Sequence, residues 1–392
     1  MVPAHDKQQH GPCRSHAHTA PFEERKMKIL LLGEYSNVHA TLAEGLRALG
    51  HSVTVVSNGD FWKNYPRDIS LVRREGRLGG VLLMAKLYAI LPRLRGYDVV
   101  QLINPMFVEL KAERLFRIYR YLRRHNRKVF LGGCGMDWYW VDTCVNKMPL
   151  RYSDFNIGKT LRTNKDALKE RRDWTGTAKE RLNKYIADDC DGIITGLYEY
   201  WVCYKPAFPE KTTFIPFPIR IPEPVREPSF DGTLKIFIGI NKTRNEYKGT
   251  DIMLRAATDI AHKYKEKVEL KKAESVPFAE YKRMMDGSDA ILDQLYSYTP
   301  SMNPLLAMSK GIICVGGGEE ENYEIIGEHE LRPIVNVQPC YESVYDELER
   351  LVTHPELIVT LKRQSIEYVR RHHDYMKVAR RYEEFYSKNG RT

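Results

Sequence analysis

From Met27 onward, short runs of β-branched and aliphatic residues alternate with longer stretches whose apolar positions recur every three to four residues. Unbroken apolar runs flanked by helical patterns mark strands buried on both faces of a parallel sheet. In the first half the pattern predicts strands at Lys28–Leu32, Val53–Val56, Asp98–Ile103, Lys128–Leu131 and Gly192–Ile194. Helices fall between them. Ala40–Leu49 stops at Gly50, as a helix with a glycine just past its end should, and Lys111–His125 carries an apolar stripe with arginines on its other side. The second half repeats the plan at Lys235–Ile240, Lys267–Leu270, Ala290–Asp293, Gly311–Val315 and Pro333–Val335. The expected fold class is α/β, with two doubly wound Rossmann-like domains facing a central cleft.

Between the halves, Phe214-Ile-Pro216-Phe-Pro218-Ile-Arg-Ile-Pro222-Glu-Pro224 runs on to Pro228, and five prolines forbid a helix there. The domain plan read from these signals is a disordered leader over 1–26, a first domain over 27–213, a hinge over 214–233, a second domain over 234–355 and a helical region over 356–392. The last region reads as a long helical region from about Pro355 to Tyr386. Two readings of its aromatics Tyr368, Tyr375, Tyr382 and Phe385 stand: packing back across the first domain, or an amphipathic cap on the second.

Composition narrows the class. The 392 residues, 43% hydrophobic, suit two soluble domains, and no apolar run approaches the roughly 20 residues that span a bilayer. No charged-then-apolar signal segment opens the chain, so a cytoplasmic protein is expected, and Met27 stands as an alternative start. The leader holds His5, His10, His16 and His18 without apolar periodicity, and metal binding is the lesser reading of it. Seven cysteines (Cys13, Cys134, Cys144, Cys190, Cys203, Cys314 and Cys340) form no C-x-x-C pair, which points to reduced, packed thiols.

The net charge of +10 is lopsided: residues 1–233 hold 37 Lys+Arg against 26 Asp+Glu, whereas residues 234–392 hold 24 against 25. A basic first half fits an anionic partner, which charge alone leaves open among nucleic acid, a lipid surface and a phosphorylated acceptor. Lys242-Thr-Arg-Asn-Glu-Tyr-Lys248-Gly249, between a strand and a helix, reads as an anion cradle. Its cations, its free backbone N–H groups and the positive end of the helix dipole would surround a phosphate, although a merely solvated basic loop accounts for the same residues.

Several stretches together resemble the GT-B glycosyltransferases, and within them the retaining family four, the "glycosyl transferases group 1". They are Lys28-Ile-Leu-Leu-Leu-Gly-Glu-Tyr-Ser-Asn-Val-His39 with Leu42 to Val56, Ala187-Asp-Asp-Cys-Asp-Gly-Ile-Ile-Thr195, Phe214-Ile-Pro-Phe-Pro218, and Ala307-Met-Ser-Lys-Gly-Ile-Ile-Cys-Val315 followed by Gly316-Gly-Gly318. The resemblance covers Met27 to about Tyr386. It implies transfer of a sugar from a nucleotide-diphosphate sugar to a glycan or lipid-linked acceptor, with retention, without a cofactor and without a required metal.

The resemblance also assigns roles. The family grips the donor diphosphate with an arginine and, six positions on, a lysine followed by glycine; here Lys248-Gly249 fits, with Lys242 at the arginine position and Arg244 beside it. Lysine neutralises phosphate as a point charge but lacks arginine's fork. Two family glutamates eight positions apart are replaced by Tyr298 and Leu306. In their stead, Ser301 would cap a helix with the N–H groups of Met302 and Asn303 aimed at a phosphate, and one of Glu319, Glu320 and Glu321, with Glu321 preferred, would take the ribose. Gly33 would let the backbone approach the donor. Asp137, in Leu131-Gly-Gly-Cys-Gly-Met-Asp137, would bind a sugar hydroxyl or accept its proton, and Trp138 and His39 would touch the acceptor. Lys248 and Arg244 would stabilise the leaving diphosphate.

A Gly33 loop without G-x-G-x-x-G disfavours a dehydrogenase, and no nucleic-acid motif is present. Gly79-Gly-Val-Leu-Leu-Met-Ala-Lys-Leu-Tyr-Ala-Ile-Leu91 with Arg114, Arg117, Arg120, Arg123 and Arg124 reads either as peripheral docking on the anionic inner face of a membrane or as a buried helix beside a solvated one. The missing glutamates motivate the competing function, a non-catalytic nucleotide or sugar binding protein of the same fold.

Overall fold

Strands made of unbroken Ile, Leu and Val runs bury both faces, so each must lie inside a sheet with helices above and below. A computed structural model, which describes residues 26–224, 227–240, 245–274 and 276–389, shows two such sheets. The first holds β1 (Lys28–Leu32), β2 (Ser52–Ser57), β3 (Ile69–Ser70), β4 (Val99–Leu102) and β5 (Lys128–Gly133). After a small antiparallel hairpin of β6 (Asn156–Ile157) and β7 (Thr160–Leu161), β8 (Gly192–Thr195) and β9 (Thr212–Phe214) complete it, in the order β3-β2-β1-β4-β5-β8-β9. The second sheet holds β10 (Leu234–Ile240), β11 (Val268–Glu274), β12 (Ala290–Leu292), β13 (Ile313–Gly316) and β14 (Val335–Asn336), in the order β11-β10-β12-β13-β14. All pairings within both sheets are parallel, with Leu30 beside Val100 and Phe237 beside Ile291.

Strand order reverses beside β1 in the first sheet and beside β10 in the second. Ligands of open α/β sheets sit outside the carboxyl ends of the strands at such reversals. Those ends carry Gly33, after β1, and the segment leading to Lys248, after β10.

The ten predicted strands all exist. Three features escaped the pattern: β3, β9 and the β6–β7 hairpin, which are only two or three residues long and too short to show a period. Phe214, read as the start of the hinge, is the last residue of β9 and pairs with Thr195.

The helical region expected over 355–386 consists of two helices, Glu356–His372 and Tyr375–Lys388. The Asp374 carboxylate breaks the run by accepting from the Met376 and Lys377 N–H groups, which starts a new helix. At the break, Ile219 of the connecting segment donates its N–H to the His373 carbonyl and accepts from the Tyr375 N–H. The aromatics divide there. Tyr368 packs near Tyr323 and Phe217, whereas Tyr382, Tyr386, Val378 and Ala379 pack on Ile29, Leu31 and Leu42 of the first domain. The chain therefore crosses back, and its last helix covers the helix Val38–Ala48.

Gly45 permits that crossing. A Cβ there would stand 2.7 Å from both the Ala379 Cβ and the Tyr375 carbonyl oxygen. Gly45→Leu should force the two helices apart and lower stability by roughly 1–3 kcal/mol. A urea midpoint unchanged from wild type would contradict this packing.

Candidate active site

The carboxyl ends of both sheets open onto one cleft of about 1270 Å³. From the first domain it is lined by Gly33, Glu34, Asn58, Asp60, Lys63, Asn104 and Gly135, among others, and from the second by Lys248, Gln294, Ser301 and Met302. Eight Lys or Arg side chains line it against six Asp or Glu. Burial raises one of those acids, Glu34, to a pKa of about 8, so it is protonated at neutral pH and the wall is net positive.

Gly33 leaves β1 at φ 88°, a left-handed conformation. A Cβ there would lie 2.3 Å from Ile103 Cγ2. No other residue fits both demands. Gly249 is the counterpart: its φ is 72° and its Cβ would meet Leu295 at 2.6 Å. It ends the short helix Asn245–Lys248 and starts the helix Thr250–Lys263. Lys248 is thereby held at the cleft, near enough to the half-buried Asp293 that its charge counters the burial that lifts Asp293 to about 6. Lys242 and Arg244 lie outside the described residues.

Ser301 occupies the N-cap of the helix Met302–Met308 and lines the cleft with Met302, but its side chain makes no capping bond. The Asn303 amide is committed to the Tyr281 hydroxyl at 2.8 Å.

Four expected contacts are corrected. Asp137 is fully buried: Trp140 donates its N–H to one carboxylate oxygen at 2.8 Å, and the Tyr204 hydroxyl donates to the other at 2.6 Å. It caps the helix Trp138–Asp142 and cannot reach a sugar, because capping turns its carboxylate inward. Trp138 follows it away from the cleft; its N–H is bound by Asn183 and Lys184 Nζ stands 3.9 Å over its ring. His39 is buried under the Gly33 turn, with Nδ1 2.8 Å from the Gly33 carbonyl. Burial lowers its pKa to about 4, so it is a neutral structural histidine. Glu321 is held by Arg151 of the first domain at 2.5 Å, outside the cleft lining.

That last pair belongs to a contact between the domains which the sequence did not announce. The Tyr298 and Thr299 N–H groups donate to the buried Glu199 carboxylate at 2.6 and 3.1 Å, and the Thr299 hydroxyl donates to its other oxygen. Tyr298, standing where the family glutamate was expected, accepts the Arg151 N–H at 2.6 Å, and its ring lies 4.8 Å from Tyr152 and 5.8 Å from Tyr198. Burial pushes Glu319 up, but hydrogen bonds led by those from Tyr152 and Gln338, with the Arg151 charge, outweigh it and hold the carboxyl below its usual range. Arg162, just past β7, donates to the Glu246 and Tyr247 carbonyls at 2.6 and 3.1 Å and lies 3.5 Å over the Tyr296 ring. It braces the turn that presents Lys248.

Glu34 also went unread. Its carboxyl accepts from the His39 and Ala40 N–H groups at 3.2 and 2.8 Å, closing the start of the helix Val38–Ala48 from the end of β1. Asp60 lines the same wall, accepting from the Ser36 N–H at 2.8 Å and from Lys63 Nζ at 2.6 Å. Ser36, Asn37, Asp60, Phe61 and Asn64 all have positive φ, so the rim here is backbone under strain, which is a mark of functional loops. Only the position of these residues just after β1 and β2 hinted at them.

Two facing Rossmann-like domains with a ligand cleft between their strand ends define the GT-B fold, and this chain has it. Solved structures agree. HepE (Alr3699) of Anabaena, crystallised with UDP and glucose, superposes with a TM-score of 0.57 at 12% identity, over 92% of this chain and 100% of its own. Sucrose-phosphate synthase of Thermosynechococcus elongatus gives 0.56 at 13% identity, over 93% and 99%. The catalytic domain of starch synthase IV of Arabidopsis thaliana, bound to ADP and acarbose, gives 0.55 at 11% identity, over 93% and 99%. No protein-family model and no curated protein matches the sequence.

Two consequences are measurable. Glu34 gains a proton in the fold between its ordinary pKa of 4.5 and about 8, so its stabilising contribution is present at low pH and lost as pH rises through that window. Urea midpoints at pH 5.5 and 8.5 should differ less in Glu34→Gln than in wild type; an equal difference would assign the slope elsewhere. Glu199→Ala strands buried donors at about 1–3 kcal/mol each. Its thermal midpoint should drop and proteolysis within 214–233 should speed up, and an unaltered digestion rate would mean that this contact does not hold the domains.

Proposed function

We propose that this protein is a glycosyltransferase that moves a sugar from a nucleotide-diphosphate sugar to a glycan or lipid-linked acceptor, with retention and without a required metal. The observation that carries the reading is Lys248, held at the strand-order reversal of the second sheet and lining the cleft opposite the Gly33 turn. A fixed cation at that point stabilises charge that develops on a departing diphosphate. Lys242 and Arg244 would complete the cation set, with Gly249, Ser301 and Met302 shaping the donor wall. A leaving-group phosphate oxygen takes the acceptor proton, so the protein's part is to position two substrates and to exclude water between the domains. HepE and starch synthase IV, which share the fold, were crystallised with UDP-glucose and ADP respectively, which supports a nucleotide-sugar donor.

With Asp137 and His39 facing inward, we assign the acceptor side to the wall of Asp60 and Lys63. We place the protein in the cytoplasm, peripheral to the membrane. Among the described residues no helix is long and apolar enough to cross one.

A second reading, a binding protein without turnover, is favoured by one observation: Tyr298 spends the family's glutamate position on contact between the domains. The two separate in one experiment. Thermal shift against UDP, GDP, ADP, CMP and their sugar conjugates should show one nucleotide class stabilising the wild type and not Lys248→Ala. Donor hydrolysis or transfer should fall by roughly 10²-fold in the variant. Binding without hydrolysis or transfer of any donor supports the binding protein, and no binding at all removes both.

A further inference from the structure

Exposed large apolar side chains gather on one face of the first domain, among them Val72, Leu78, Val81, Leu82 and Tyr88. The helix Gly79–Ile90 buries Gly79, Leu83, Leu87 and Ile90. The opposite side of a surface helix ordinarily carries charge. Here it presents Leu78 (69% exposed), Val81 (51%), Leu82 (48%) and Tyr88 (46%), with exposed Ala85 and Ala89 between them and Lys86 as the only charged residue of the helix. A helix apolar on both sides, with one side in solvent, marks a surface that another phase or molecule covers.

Cations frame it. Arg73, Arg74 and Arg77 precede the helix and are exposed. Arg114 Nη1 stands 3.0 Å from Met84 Sδ, which sets the helix Ala112–His125, with exposed Arg117, alongside. Glu75, Glu109 and Glu113 are the acids of the same region, and Glu109 pairs with Arg73. Arg123 is not part of this surface, since Asp191 holds it at 2.5 Å. The cations outnumber the acids, and a second copy of the chain would bring the same positive charge. The frame is also continuous with the cleft, because Arg77, Gly80, Val81 and Arg114 line both.

We infer that this face docks on an anionic lipid leaflet, with Leu78, Val81, Leu82 and Tyr88 inserted at the headgroup boundary and Arg74, Arg77, Lys86 and Arg117 on the phosphates. The cleft mouth then opens at headgroup level, where an acceptor carried on a lipid would stand. That purpose rests on the glycosyltransfer reading; the docking itself does not.

Sedimentation with sucrose-loaded vesicles tests it. Full-length protein should sediment with phosphatidylcholine vesicles containing phosphatidylglycerol, not with phosphatidylcholine alone, and rising salt should weaken the binding. Arg74→Ala with Lys86→Ala should cut partitioning roughly 30-fold at low salt. Leu82→Ser with Tyr88→Ser should cut it roughly tenfold or more. Both double variants should keep the nucleotide thermal shift of the wild type, which shows that they are folded. Nucleotide binding without sedimentation overturns the docking and the peripheral placement, and leaves the glycosyltransfer reading standing. So does a dimer in light scattering that the Leu82→Ser, Tyr88→Ser protein no longer forms, since a second copy would then be the cover. Sedimentation without any nucleotide binding supports the docking and removes the proposed function instead.

Discussion

A buried carboxyl that gathers donors from the facing domain closes the distance between the two halves of this protein. Glu199, buried at the start of the helix Tyr198–Tyr204, receives the N–H groups of Tyr298 and Thr299 and the Thr299 hydroxyl from the other domain. Burying a carboxylate is costly unless its oxygens are occupied, and here they are, so the 297–299 segment has one position relative to the first sheet. The cleft depends on that position. Gly33 and Lys248 belong to separate sheets, and only the placement of the domains makes them walls of one cavity.

The β6–β7 hairpin region extends the same contact. Arg151, Tyr152 and Arg162 reach across to Glu319, Tyr298 and the carbonyls ahead of Lys248. The Arg162 guanidinium holds the carbonyls of the two residues ahead of Lys248, so it fixes the backbone that presents this lysine to the cleft. Residues that look like substitutes for a lost donor contact, Glu319 and Glu321, are spent on this brace. The return of the last helix over Val38–Ala48 makes a second tie, since the chain passes from one domain to the other twice.

The fold was legible almost in full. Ten strands, their alternation with helices and the proline-rich connection are periodicity and punctuation, and those act over a few residues. Gly33 was legible for the same reason, since a glycine just past a strand keeps its meaning whatever surrounds it, and the Lys248-Gly249 pair was placed by its position between β10 and the helix Thr250–Lys263. Asp137, Trp138 and His39 misled because a short motif gives residue type and not direction. Asp137 is drawn inward by the Trp140 N–H and the Tyr204 hydroxyl, and Tyr204 is 67 positions away in sequence.

The sequence by itself therefore determined the elements, the two-sheet class and the charge asymmetry, all of which follow from local propensity and composition. Tertiary structure alone decided which carboxylates face the cleft, which hold the domains together, and that the apolar helix Gly79–Ile90 keeps one side in solvent. The reason is physical. Whether a carboxyl such as Glu34 or Glu199 is a charge, a cap or a clamp depends on its desolvation and its donors, and those come from segments that the chain brings together only when it folds.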